Sequence, residues 1–280
     1  MFRRIAVHLD QGADTAQRFD FALNVAKDFH AEIQCIYTNY VPPASWSAFA
    51  YGDYVMMSEV LEDLRVANQD QQQKAKSRFM PAVSEQGLVA DWRSVEHAPV
   101  EELSAYARLS DLLIVSQENK DDIGAGDGFA ERVIFSVGRP VLVLPRQLTS
   151  TTVGQRILIC WDGSRESARA LADAAPFLQV ATDVVVLTVE ERLDELKAPT
   201  PPIGELEAYF RAHSYLLAKH IHRDTHEQGV GETISRVADD QKIDLIVMGA
   251  YGHSRLREWI LGGATSFLLK NTLVPVLFSH

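Results

Sequence analysis

The sequence predicts an α/β protein built from two copies of one unit, each a mostly parallel sheet with helices on both faces. Three observations carry that reading. Short apolar runs alternate with longer stretches of helical periodicity along the chain, which is the pattern of β-α-β units. The chain also repeats itself. RIAVHLDQGADTAQ from Arg4 lies over RILICWDGSRESAR from Arg156, matching Asp10 with Asp162 and Ala16 with Ala168. Late in each copy, DLLIVS from Asp111 matches DLIVMG from Asp244, and RPVLVLP from Arg139 matches VPVLFSH from Val274. Finally, 280 residues with 46% hydrophobic and 23% charged composition are ordinary globular material, enough for two units of about 140 residues.

The first copy reads in order as a strand over 4–9 and a helix over 13–30, with Phe19, Ala22, Leu23 and Ala26 on one face. A second strand spans Ile33 to Tyr37. VPPASWSAFAYGDYVMM then reads as a loop or short turns, from its prolines and Gly52. A long helix from about Met57 to Gln86 leads to a third strand near Val89 to Glu96. A short helix, Val100 to Leu109, precedes strands at 112–116 and 141–144. The polar stretch PRQLTSTTVG, 145–154, suits a boundary between units.

The second copy repeats the plan. It has a strand over 156–161, a helix over 165–178, a strand over 184–189 and the loop APTPPIG. A helix from Glu205 to about Lys219 and a weak strand near 221–226 follow. The helix from Val230 to Asp240 then leads to strands at 245–248 and 276–279.

Charge and composition narrow the function. A net charge of −11 argues against a nucleic-acid partner, which calls for a basic face. No apolar run reaches membrane-spanning length, and MFRRIAVHLD enters a strand at once, so the expectation is a cytoplasmic protein with no membrane partner. Cys35 and Cys160 sit in apolar strand-like runs and read as small core residues, not a disulfide. No Ser-His-Asp or Cys-His set follows from spacing, so no catalytic residue is assigned. KHIHRDTHE would put His220, His222, Asp224 and His226 on one face if it is a strand; if it is a helix, His213 and His220 face away from the others. No metal is assigned there.

The stretch that carries chemistry is DLIVMGAYGHSRLREWILGGAT, 244–265. A strand runs into Gly249 and Gly252, and Gly262 and Gly263 precede ATSFLLKN, which reads as a helix start. Backbone without Cβ lets an anion lie against its amides, and a helix N-terminus adds free N–H groups and the positive end of its dipole. His253, Arg255 and Arg257 lie between the two turns. Alternatively, the glycines simply make tight turns. Neither G-x-x-x-x-G-K-[ST] nor G-x-G-x-x-G occurs here.

Gly249, Gly252 and Gly262 do match G-x2-G-x9-G-[ST], and with DLIVMGAYGHS before them and GGAT and VPVLF after, the stretch resembles the universal stress protein family. Gly263 stands where ATP-binding members have Ser or Thr, which removes a hydroxyl from the phosphate cradle but keeps the N–H. The resemblance implies two tandem open parallel five-stranded sheets of order 3-2-1-4-5, adenine nucleotide alpha hydrolase-like, over domains 1–146 and 155–280. It places ATP in the second domain, at the crevice where strand order reverses.

By the family's pattern Trp161, Asp162, Gly163 and Ser164 border adenine and ribose, Val189 touches the base and Met248 lines the floor. Gly249, Gly252, His253, Gly262, Gly263, Ala264 and Thr265 meet the phosphates, with Mg²⁺ as companion ion. Read without that pattern, Asp162 is equally a helix N-cap. In the first half Ser116 replaces the first glycine, and Asp121, Asp122 and Asp127 would repel a triphosphate, so that site reads as degenerate and GAGDG as a turn.

The family also implies a stress-response role, pairing of the two domains by their edge strands, and the option of a homodimer; slow ATP hydrolysis is compatible with it. The alternatives are a nucleotide-free scaffold, or a carrier or enzyme for another phosphorylated or acyl ligand with lids at 46–54 and 199–202.

Overall fold

The architecture comes from a computed structural model. The structure describes residues 1–39, 54–95, 99–117, 128–148, 150, 152–190, 203–217, 219–225, 229–250 and 263–280. The first half runs β1 (Arg4–Leu9), α1 (Thr15–Phe29), β2 (Glu32–Thr38), α2 (Tyr54–Glu85), β3 (Ala90–Val95), α3 (Pro99–Ala107), β4 (Leu112–Ser116), α4 (Phe129–Val137) and β5 (Val141–Leu144). The second runs β6 (Arg156–Cys160), α5 (Arg165–Asp173), α6 (Ala175–Leu178), β7 (Asp183–Glu190), α7 (Ile203–Ala212), β8 (Lys219–Asp224), α8 (Val230–Asp240), β9 (Leu245–Gly249), α9 (Gly263–Asn271) and β10 (Val276–Ser279).

All ten strands form one sheet in the order β3-β2-β1-β4-β5-β10-β9-β6-β7-β8. Within each half the pairings are parallel. The halves meet where Val141, Leu142 and Val143 of β5 pair antiparallel with Phe278, Leu277 and Val276 of β10. All six are fully buried, so two apolar strands that would otherwise be edges cover each other.

An antiparallel seam keeps equivalent helices on the same face. One core layer is built from α1, α2, α5, α6 and α7, the other from α3, α4, α8 and α9. Across the seam in the first layer, Phe2 and Phe29 meet Phe177 of α6 edge-on, with ring centroids 5.2 and 5.3 Å away. In the second layer the buried Gln117 donates to the carbonyls of Leu268 and Thr272 at the end of α9, and His280 lies edge-on to Phe135 of α4.

Aspartates pin the starting ends of the first and sixth strands. Asp111 accepts the amides of Arg3 and Arg4, and Asp244 accepts those of Gly154, Gln155 and Arg156. Arg4 pairs with Asp91 on β3, reaching across β2, and Arg156 with Asp183 on the adjacent β7. The repeated Arg and Asp of the sequence are therefore a clamp at the end of the sheet away from any strand-end crevice.

Two elements differ from the sequence reading. The helix expected to reach Lys219 stops at Ala212, because Ser214 takes a left-handed φ of 57° and the chain enters β8 at Lys219. The helix expected over 165–178 is two pieces divided at Ala174, with Pro176 in the first turn of the second.

Phe177 is fully buried at the contact between halves. Phe177→Ala is expected to lower stability by about 3–5 kcal/mol while unfolding remains one transition, since the cavity opens into a core shared by both halves. Urea denaturation followed by far-UV circular dichroism and by tryptophan fluorescence checks it; separated transitions would contradict the shared core.

Candidate functional site

In the second half β6 lies between β7 and β9, all parallel, so that the chain leaves the sheet in opposite directions from neighbouring strands, the arrangement that in open parallel sheets leaves a crevice at the strand ends. Trp161 follows β6 and donates its amide to Leu187 of β7; its side chain is half-buried against the core. Asp162 is exposed, and its Oδ1 accepts the amide of Ser164 at 2.9 Å and the Ser164 hydroxyl at 2.6 Å. Gly163 between them has φ +77°, a conformation that favours glycine.

Ser164 is the N-cap of α5, its Oγ accepting the amide of Ser167 at 3.1 Å. The capping role open to Asp162 in the sequence thus belongs to Ser164, and Asp162 holds the cap in place from the crevice side. Val189 is half-buried near the end of β7, and Met248 is buried on β9.

Gly249 ends β9 against the first turn of α5. A Cβ there would meet the carbonyl carbon of Glu166 and come within 2.6 Å of Glu166 Cβ and the Ser167 amide. Its missing side chain is thus accounted for by packing as well as by any ligand. Gly263 begins α9 exposed, and a Cβ there would meet open space. Nothing in the packing among the described residues requires glycine in place of Ser or Thr. Ala264 is half-buried and Thr265 is buried in the same first turn. Gly252, His253, Arg255, Arg257 and Gly262 lie outside the described residues, as do 46–53, 199–202 and the first-half stretch 118–127.

The equivalent end of the first half is built differently. Asp10 is buried, and its Oδ1 accepts from Arg18 Nη2 at 2.6 Å, from the Gly12 amide and from the Thr15 hydroxyl. Burial alone would raise its pKa, but Arg18 and His8 with the Thr15 and Gly12 hydrogen bonds outweigh that and hold the carboxyl well below the usual range. His8, its ring tilted against that of Phe129 and bonded through Nε2 to Thr38 Oγ1, is fully buried; burial pushes its pKa down to about 3. Arg18 was missed from sequence, because a lone arginine on the second turn of an amphipathic helix reads as a solvated side chain.

Burial raises both thiols, Cys35 to about 12 with Asp91 adding, and Cys160 likewise with Asp162 adding, so both stay protonated. On the edge strand β8, His220 and His222 are exposed, His220 bonding Thr188 and His222 lying 3.6 Å from Glu190, while His226 is outside the described residues. His213 instead stacks on Tyr215 beyond the end of α7. Among the described residues no three His, Cys, Asp or Glu side chains gather as a metal-binding group, and no helix is long and apolar enough to cross a membrane.

Residues 154–280 match the model of the universal stress protein family. A universal stress protein of Synechocystis is 30% identical over 152 residues, 52% of this chain and 49% of that protein. The match therefore spans about half the length of that relative. One of Methanocaldococcus jannaschii is 26% identical over 151 residues, covering 84% of its own length. The crystal structure of a universal stress protein from Archaeoglobus fulgidus shares the fold across 98% of this chain and 97% of that one, at TM-score 0.66 and 16% identity.

The buried His8 makes stability depend on pH. Its folded pKa lies below its unfolded value, so the unfolded chain takes up a proton first as pH falls, and the native state loses stability below about pH 6.5. Between pH 6.5 and 5 the loss from this residue is expected to approach about 2 kcal/mol. Urea titrations at both pH values on wild type and His8→Gln check it, with the slope reduced in the variant.

Proposed function

Because the chain belongs to the universal stress protein family by its second half, residues 154–280, we propose that this half binds an adenine nucleotide, ATP foremost, and that occupancy regulates a cellular stress response. The observation that carries the reading is the strand-order reversal between β6 and β9. It sets Asp162, the cap of α5 and the end of β9 around one crevice, the place where open parallel sheets take ligands. Asp162 and Trp161 would meet ribose and base beside Val189. The turns holding Gly249, Gly252, His253, Gly262 and Gly263, with Ala264 and Thr265, would meet the phosphates together with Mg²⁺. Charge on the ligand is favoured at the α9 N-terminus, whose first amides have no partner within the helix.

On this reading residues 1–146 and 155–280 are two domains paired by β5 and β10, the first serving as structural partner. A second reading, a nucleotide-free interaction module, is favoured by Gly263, which lacks the hydroxyl of ATP-binding relatives.

Titration calorimetry with ATP and Mg²⁺ tests the proposal. Micromolar binding at about one site per chain is expected, reduced at least tenfold, about 1.4 kcal/mol, in Asp162→Ala and in a folded Gly252→Val, Gly262→Val double variant. Gly263→Ser, whose side chain enters open space, is expected to tighten binding by a few fold. No heat and no thermal shift in the wild type would overturn the nucleotide reading and leave the interaction module standing.

A further inference from the structure

The same strand-end aspartate has opposite fates in the two halves. Asp10 is 7% exposed, whereas Asp162 is exposed beyond the first turn of α5. The difference traces to what stands eight residues later, Arg18 in the first half and Ala170 in the second. Arg18 is 3% exposed, and its guanidinium reaches four partners. Nε donates to the His8 carbonyl at 2.7 Å, Nη2 to Asp10 Oδ1 at 2.6 Å and to the Thr15 hydroxyl at 2.9 Å, and Nη1 reaches Asp14 at 3.4 Å. Ala170, buried at 1%, offers nothing to a carboxylate. Thr15, which also holds Asp10, has Ser167 as its counterpart, and Ser167 Oγ instead donates to the Ser164 carbonyl.

We propose that Arg18 withdraws the first half's strand-end carboxylate from its crevice, so that the chain presents one ligand-ready aspartate, Asp162, and not two. Burying a guanidinium and a carboxylate costs desolvation that close hydrogen-bonded geometry offsets, and here the guanidinium reaches four partners with the carboxylate 2.6 Å from Nη2. Asp162 Oδ1 also accepts an amide and a hydroxyl, so what sets Asp10 apart is the guanidinium on its Oδ1 and its burial, which together keep its carboxylate from ribose hydroxyls. Position 18, and its counterpart 170, is on this account a specificity-determining position. Only the identity of the ligand rests on the nucleotide reading above; the withdrawal of Asp10 does not.

Carboxyl labelling with a water-soluble carbodiimide and glycine ethyl ester, read by peptide mass spectrometry, tests the withdrawal without any ligand. In the wild type Asp162 is expected to label at least tenfold faster than Asp10. Arg18→Ala should raise Asp10 labelling at least fivefold with native circular dichroism, and Ala170→Arg should protect Asp162 at least fivefold while Ala170→Met does not.

ATP titration of the same proteins adds the functional arm: Ala170→Arg should weaken binding at least tenfold and Ala170→Met less than threefold. If Arg18→Ala does not fold, Arg18→Gln, which can still reach the His8 carbonyl without the charge, takes its place. The proposal is overturned if Asp10 stays protected in a folded Arg18 variant, or if Asp162 in folded Ala170→Arg labels as in the wild type. A wild type that binds no ATP but shows the expected labelling sinks the nucleotide reading and leaves the role of Arg18 supported.

Discussion

The structure depends on one short antiparallel ladder, Val141 to Val143 against Val276 to Phe278. Each half taken alone ends in an apolar strand with a row of unpaired backbone groups, and the ladder satisfies both rows at once. Its direction matters as much as its area. Because the strands run antiparallel, the helices of the two halves fall on common faces, so Phe177 can reach Phe2 and Phe29, and Gln117 can reach the end of α9. The edges left over, β3 and β8, behave differently: on β8 every residue but Ile221 is exposed, and Lys219, His220, His222, Arg223 and Asp224 make it a poor template for a further strand.

A repeated sequence thus serves two ends of one sheet. At the starting ends the two halves share one device: Asp111 and Asp244 clamp the amides that open β1 and β6, while Arg4 finds its acid two strands away on β3 and Arg156 on the adjacent β7. At the finishing ends they part. Conserving a clamp in both copies maintains the fold in both, whereas the carboxyl ends of parallel strands are where a ligand is met, and there the copies have diverged.

That division explains what was legible in the sequence. Strand positions followed from apolar runs between turn residues, and the two-copy plan from matched Arg, Asp and Pro residues. The expectation of a ligand crevice around Asp162 came from the resemblance to a known family. Features made by tertiary contact were not legible. Gly249 looks like a ligand glycine, yet its Cβ position is filled by the backbone of α5. Asp162 looks like a cap, yet Ser164 caps and Asp162 holds it. The stop of α7 at Ala212 turns on a left-handed Ser214 that no propensity marks.

The least legible feature, Arg18, follows from the same physics. Arginine on a helix is by default a surface residue, its stem lying along the protein and its charge in water. It turns inward only if a carboxylate, a hydroxyl and a free carbonyl are already gathered within reach. Asp10, Thr15 and the His8 carbonyl are gathered here by the turn between β1 and α1. In the second half the corresponding turn leaves Asp162 exposed, and the position matching Arg18 is the buried Ala170. The first-half network engages its acceptors internally. Its partner keeps an exposed carboxylate that a ligand can still reach. On the proposed reading, two copies of one fold divide structural and binding roles with the same sheet order in both, and Arg18 against Ala170 is the difference that separates their strand-end aspartates.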